Sequence, residues 1–217
     1  MKKLPTSAWI MLSLLIGAVL IILLVLTSNN KILSNVKLPV EITEFFDYQC
    51  SHCAEFSKVM REIEDEYGDN IDIQYKNFPF INDNSFALAY GAEAAREQGK
   101  FLEYHHLTFE IFNQVLEGTA DISAMDPVEI ATQLGLDLEK FETDRASDEV
   151  KARVTADYNL GNTMGVTGTP SVFIGGQLID LGEVDTTTGQ ITYDKFRNTV
   201  SRLVDLAIQN EQNSQTE

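Results

Sequence analysis

Both cysteines of this 217-residue chain fall in one four-residue span, Cys50-Ser51-His52-Cys53. A C-x-x-C closes so small a loop that it removes little entropy from the unfolded chain, so it is a poor staple. Exported domains that rely on disulfides for stability usually carry several, far apart in sequence. The pair therefore points to chemistry, and its flanks restrict the fold. Val40-Glu41-Ile42-Thr43-Glu44-Phe45-Phe46 before it is rich in β-branched and aromatic residues and reads as a strand. Cys50 to Tyr67 after it places Phe56, Met60 and Ile63 at helical spacing, with Gly68 as the stop. Ile71–Tyr75 makes a second strand, and strand–helix–strand predicts a right-handed βαβ unit with parallel strands.

Helical patterns then run over 84–98 and 101–117, followed by starts at Asp126-Pro127, Asp137 and Ser147. Strands return at Ser171–Ile174 and Gln177–Ile179, joined by Gly175-Gly176 as a two-residue hairpin turn. Phe196, Val200, Leu203 and Ala207 mark a last amphipathic helix, and the polar segment 209–217 is predicted to be a disordered tail. The plan is α/β: βαβ, a helical insertion over 82–164, then ββα. Neither β-bearing piece can bury a core alone, so the two are expected to share one sheet.

Ahead of this domain (37–217) lies an apolar run, Ala8–Leu26, of 19 uncharged residues. As a helix it would rise about 28 Å, close to the ~30 Å hydrocarbon core. Lys2 and Lys3 precede it, which predicts a cytoplasmic N-terminus, a transmembrane anchor within 1–30 and an extracytoplasmic domain. A cleavable signal peptide is the alternative, but the run is long for one and lacks a small-x-small site at its end. All 33 acids lie from Glu41 onward, against 13 Lys and Arg from Lys37 onward, a net charge of −20. Such a surface excludes nucleic-acid binding and leaves lipid contact to the anchor alone.

Cys50 opens a helix, where unpaired backbone N–H groups favour an anion, and thiolate is the reactive form of cysteine. Cys50 is thus predicted as the exposed attacking sulfur and Cys53, one turn on, as the sheltered one that resolves a mixed disulfide. A helix terminus supplies only about 0.3–1 kcal/mol, less than one pKa unit. The His52 imidazole is expected to supply more. Along the first strand, Glu44 shares a face with Val40, Ile42 and Phe46. Either it is a desolvated acid with a raised pKa or a strand-end carboxylate reached by water. His105 and His106, with the two cysteines, have the ligand types for zinc. However, His105 lies on an apolar stripe with Leu102, Phe109, Phe112 and Leu116, so a core histidine and no metal site is the expectation.

The run Glu44-Phe45-Phe46-Asp47-Tyr48-Gln49-Cys50-Ser51-His52-Cys53, together with Gly168-Thr169-Pro170-Ser171-Val172-Phe173-Ile174, resembles the DsbA family of the thioredoxin superfamily. The membrane-anchored BdbD-like branch of Gram-positive bacteria is the nearest likeness. The resemblance implies a thioredoxin fold with a helical insertion, a cis-Pro170 facing the C-x-x-C, and a Thr169 backbone that binds extended substrate. It makes Glu44 a buried acid that takes the Cys53 proton. Ser51 departs from the proline common at that position, which leaves the redox poise open. The implied activity is donation of the Cys50–Cys53 disulfide to thiols of exported proteins, with no other cofactor. The implied partner is a membrane quinone reductase of the DsbB or BdbC type. A reductase or isomerase, or a non-enzymatic binding module, are the alternatives.

Overall fold

The computed structural model describes residues 36–185 and 191–215. The predicted anchor, 1–30, lies outside them, and among the described residues no helix is long and apolar enough to cross a membrane.

Strand β1 (Val40–Phe46) leads through a tight turn into helix α1 (Ser51–Tyr67), with Cys50 as its extended N-cap residue. The helix stops at Gly68, whose φ of 48° suits a residue without Cβ. After a 3₁₀ turn, β2 (Ile71–Asn77) runs parallel to β1, with Glu44 opposite Tyr75. The strand is two residues longer than its apolar pattern indicates, because Lys76 and Asn77 find partners in the insertion. Lys76 pairs with Asp157 at 3.2 Å, and the Asn77 side chain donates to the buried Glu93 carboxylate at 3.0 Å.

Between β2 and β3 (Ser171–Ile174) come α2 (Asp83–Arg96), α3 (Phe101–Leu116), α4 (Pro127–Gln133), α5 (Leu138–Ala146) and α6 (Asp148–Met164). Their starts follow the expected chemistry: side chains of Asp126, Asp137 and Ser147 accept from backbone N–H groups of the first turns. Asn82 and Ser85 cap α2 reciprocally, a start one residue earlier than its apolar pattern suggests. Gly161 lets α6 lie against the sheet, since a Cβ there would come within 2.6 Å of the Phe78 ring.

β3 is antiparallel to β1 and turns through Gly175 and Gly176 into β4 (Gln177–Leu178), giving the sheet order β2-β1-β3-β4. The two β-bearing pieces thus form one mixed sheet, as predicted. Helices α1 and α7 (Asp194–Ser214) enter the main core on the β1 face that carries Ile42 and Phe46, and Phe56 packs on Phe196 at 5.1 Å. Burying side chains such as Phe56, Met60 and Ile63 is worth about 1.5–3 kcal/mol each. On the opposite face, Phe45 packs with Phe78 and Phe173.

Two features depart from expectation. Glu183–Val184 (β5) and Ile191–Thr192 (β6) pair as a small second sheet that the sequence pattern did not reveal. The helix α7 continues to Ser214, so 209–214 of the tail expected to be disordered are helical, while 216 and 217 lie outside the described residues. Asn210 anchors the extension by donating to the Val36 carbonyl at 3.0 Å.

Candidate active site

The turn between β1 and α1 is tied down by a carboxylate. Buried Asp47 accepts from the Gln49 N–H at 2.8 Å through Oδ1, and from the N–H groups of Phe80 and Ile81 at 2.9 and 3.1 Å through Oδ2. One side chain thereby fixes both the approach to Cys50 and the loop after β2. Sequence reasoning missed it, although Asp accepting from the N–H two residues on is a familiar turn signal.

Cys50 and Cys53 are both thiols in this structure. Cys53 is fully enclosed, and Cys50 is only 8% exposed, so the predicted exposed attacker is in fact sheltered. The reason lies in the downstream motif. The Thr169–Pro170 bond is cis, and the Cys50 thiol donates to the Thr169 carbonyl at 3.3 Å across that loop. The loop thus faces the C-x-x-C, with Thr169, the residue before the cis proline, at the sulfur.

The two sulfurs differ sharply in acidity. Cys50 is lowered from 9.0 to about 6, chiefly by a hydrogen bond from the Cys53 thiol. Burial, the second-largest influence, opposes this, and the Thr169 side chain and the backbone N–H groups of Cys53 and His52 add to the lowering. The Thr169 hydroxyl is buried and finds no hydrogen-bond partner among the described residues, so it is placed to serve the thiolate. Burial pushes the Cys53 thiol well above 9.0, and its hydrogen bond to Cys50 and the Glu44 charge push the same way. His52 acts here through its peptide N–H, while its ring stands exposed beside Ser51. The imidazole is therefore not what holds the thiolate in this arrangement.

Glu44 is 1% exposed, and its Oε2 has no hydrogen-bond partner among the described residues. Burial first, then the charges of Glu64 and Cys50, raise it from 4.5 to about 8. The water-reached alternative for this acid is thereby overturned. A carboxyl with that proton affinity beside a buried thiol is suited to exchanging a proton with Cys53 near neutral pH.

His105 is buried and kept neutral by burial, with its Nδ1 hydrogen-bonded to the Tyr48 hydroxyl at 3.2 Å. It is a satisfied core histidine. His106 lies 2.9 Å from a Glu64 oxygen. Among the described residues no three His, Cys, Asp or Glu side chains gather as metal ligands would.

Alkylation of Cys50 by iodoacetamide is expected to follow a titration centred near pH 6, with Cys53 unmodified throughout. A midpoint near 9 would show that the sulfur is not held as an anion.

A family model for the DSBA-like thioredoxin domain matches residues 41–201. Among curated relatives, the Na(+)/H(+) antiporter NhaA 3 of Salinispora tropica is 28% identical over 141 residues, 64% of this chain and 20% of its own length. The chain thus spans only about a fifth of that antiporter. The probable disulfide bond formation protein D of Bacillus cereus is 28% identical over 159 residues, covering 70% of this chain and 72% of its own. Among solved structures, a thioredoxin-like oxidoreductase from Silicibacter pomeroyi superimposes with a TM-score of 0.60 at 25% identity, over 76% of this chain and 87% of that one. The thiol-disulfide exchange protein alpha-DsbA2 from Wolbachia pipientis gives 0.61 at 21% identity, over 78% and 84%.

Proposed function

The chain belongs to the DsbA-like thioredoxin domain family of thiol-disulfide oxidoreductases, and from that premise we propose that it is an extracytoplasmic oxidase of protein thiols. The observation that carries this reading is the split between the two sulfurs, one lowered to about 6 and the other raised above 9.0.

At pH 7, a Cys50 pKa of about 6 stabilises the reduced pair by about 1.4 kcal/mol relative to an ordinary thiol. By the two-electron relation this makes the disulfide about 30 mV more oxidising. The direction favours giving the disulfide away. A substrate thiolate attacks Cys50 Sγ of the Cys50–Cys53 disulfide, and Cys53 leaves as a thiolate that takes a proton from Glu44. A second substrate thiolate then attacks the substrate sulfur of the mixed disulfide. Cys50 departs as a thiolate already stabilised by its surroundings, the substrate gains a disulfide, and two electrons pass to the enzyme pair. The Thr169 backbone binds the extended substrate beside Cys50, and no cofactor beyond the cysteines is required.

The apolar run Ala8–Leu26 behind Lys2 and Lys3 supports a membrane anchor with the domain outside, as in the BdbD-like branch. Reoxidation would fall to a membrane quinone reductase of the DsbB or BdbC type, and the anchor would hold both in one plane. Equilibration of the full chain with glutathione tests the direction of transfer. A potential above about −200 mV is expected, and one near thioredoxin's, about −270 mV, would make the protein a reductase instead.

A further inference from the structure

When Cys53 attacks a mixed disulfide, the reverse of the donation step above, Glu44 receives a proton that has to leave, and the catalytic face is a poor exit. Glu44 is 1% exposed and Cys50 only 8%, and a substrate held in a mixed disulfide would cover that side further. The opposite direction is built differently. Tyr75 stands directly across from Glu44 in the parallel register of β1 and β2, and its hydroxyl donates to Glu64 Oε1 at 2.7 Å. Glu64 Oε2 lies 2.9 Å from His106 Nε2. Tyr75, Glu64 and His106 all line one groove of about 980 Å³ beside the outer edge of β2. The side chains of Glu64 and His106 are 19% and 20% exposed, so this trio reaches from the strand position beside Glu44 to the water of the groove.

We propose that Glu64, held between the Tyr75 hydroxyl and His106, is the outlet through which the buried Glu44 carboxyl exchanges its proton with the groove. The inference rests on the reading of Glu44 as the acceptor of the Cys53 proton. As Cys53 Sγ attacks Cys50 Sγ of a mixed disulfide, its proton passes to Glu44. The partner leaves as a thiolate, and the proton on Glu44 departs by way of Tyr75 and Glu64. Tyr75 can accept one proton while donating another, and a carboxylate at the groove mouth favours a proton emerging there. Glu64 is also the strongest charge influence on Glu44 after burial itself. Asp65 of α1, Asp72 and Lys76 of β2, Arg96 of α2, and Glu103 and His106 of α3 are among the charged or titratable groups that line the same groove. Glu64 is a positioning and relay residue, since it touches neither cysteine.

The test follows the reduced full chain reacting with glutathione disulfide. Quenched samples separate formation of the Cys50–glutathione adduct from its resolution by Cys53. Proton transfer by a placed group contributes about 10²–10⁴-fold, and with Glu44 retained, Glu64→Gln is expected to slow resolution about tenfold. Added imidazole should restore much of that rate by carrying protons at the groove. Tyr75→Phe should slow the same step, whereas Glu66→Gln, on an exposed position of the same helix, should not. The pH midpoint of Cys50 alkylation should be the same in all four proteins. Resolution within twofold of the native rate in both Glu64→Gln and Tyr75→Phe would overturn the proposal, as would slowing that imidazole fails to relieve. If the native chain itself forms and resolves no adduct, the exchange function falls and the outlet with it.

Discussion

Between pH 4 and pH 7, Glu44→Gln is expected to gain about 3 kcal/mol of stability on the native chain, both in the dithiol form. In the unfolded chain Glu44 ionises around its ordinary 4.5, whereas in the folded protein it holds its proton up to about 8. Folding at pH 7 therefore takes up a proton. The stabilising effect of the protonated acid is complete below 4.5 and is lost as pH rises towards 8. The 2.5 units from 4.5 to 7, at about 1.36 kcal/mol each, set the magnitude. Glutamine cannot ionise, so the variant escapes this loss. Its amide brings two N–H donors into a pocket where Oε2 already lacks a partner among the described residues, and that cost applies at both pH values. Cys50 acts in the opposite sense, adding stability as pH rises above 6, and its effect largely cancels in the comparison because Glu44, raised to about 8, is mostly uncharged at pH 7. Denaturant unfolding under reducing conditions at the two pH values isolates the difference. A gap that stays constant from pH 4 to pH 7 would mean that Glu44 titrates normally. The same variant is expected to resolve mixed disulfides about 10²-fold more slowly, because Cys53 loses its proton acceptor.

How much of this site the residues disclose in advance depends on whether a local rule governs them. Glu44 was legible as a candidate because a strand alternates faces and puts it in phase with Val40, Ile42 and Phe46, although that pattern alone left a water-reached carboxylate open. Cys50 at a helix start was legible from the strand and helix patterns on either side. Pro170 became visible only through family resemblance, since nothing local distinguishes its cis bond. What could not be read were contacts made across the chain. The Thr169 carbonyl shelters Cys50 from 119 residues away, and this reversed the expectation of an exposed sulfur. His52 was assigned its role by its ring, yet the fold uses its peptide N–H, a group every residue but proline possesses. Glu64 carries no sequence signal, because its importance comes from Tyr75 on β2 and His106 on α3 meeting it in space. The tail misled for a related reason. Its polar residues offer no core face, but α7 had already been nucleated and extension adds one hydrogen bond per residue.

Replacing Cys53 should produce the largest loss, and the choice of replacement tests the electrostatics as well as the chemistry. Without a resolving thiol, both Cys53→Ser and Cys53→Ala should lose turnover by about 10³-fold or more, as expected when one member of a two-part unit is removed. Both should collect mixed disulfides on Cys50, visible on non-reducing gels and discharged by reductant. The two variants should nevertheless differ at Cys50. The main cause of its low pKa is a hydrogen bond from the Cys53 side chain, which serine can still donate and alanine cannot. The midpoint of Cys50 alkylation should therefore move up from about 6 in Cys53→Ala and stay lower in Cys53→Ser. Equal midpoints in the two would assign the thiolate to the peptide N–H groups of His52 and Cys53 and to Thr169. Cys50→Ser should abolish adduct formation altogether, whatever occupies position 53. An exchange activity that survived that substitution would remove Cys50 from the reaction, because the enclosed Cys53, raised above 9.0, is too protonated near neutral pH to replace it.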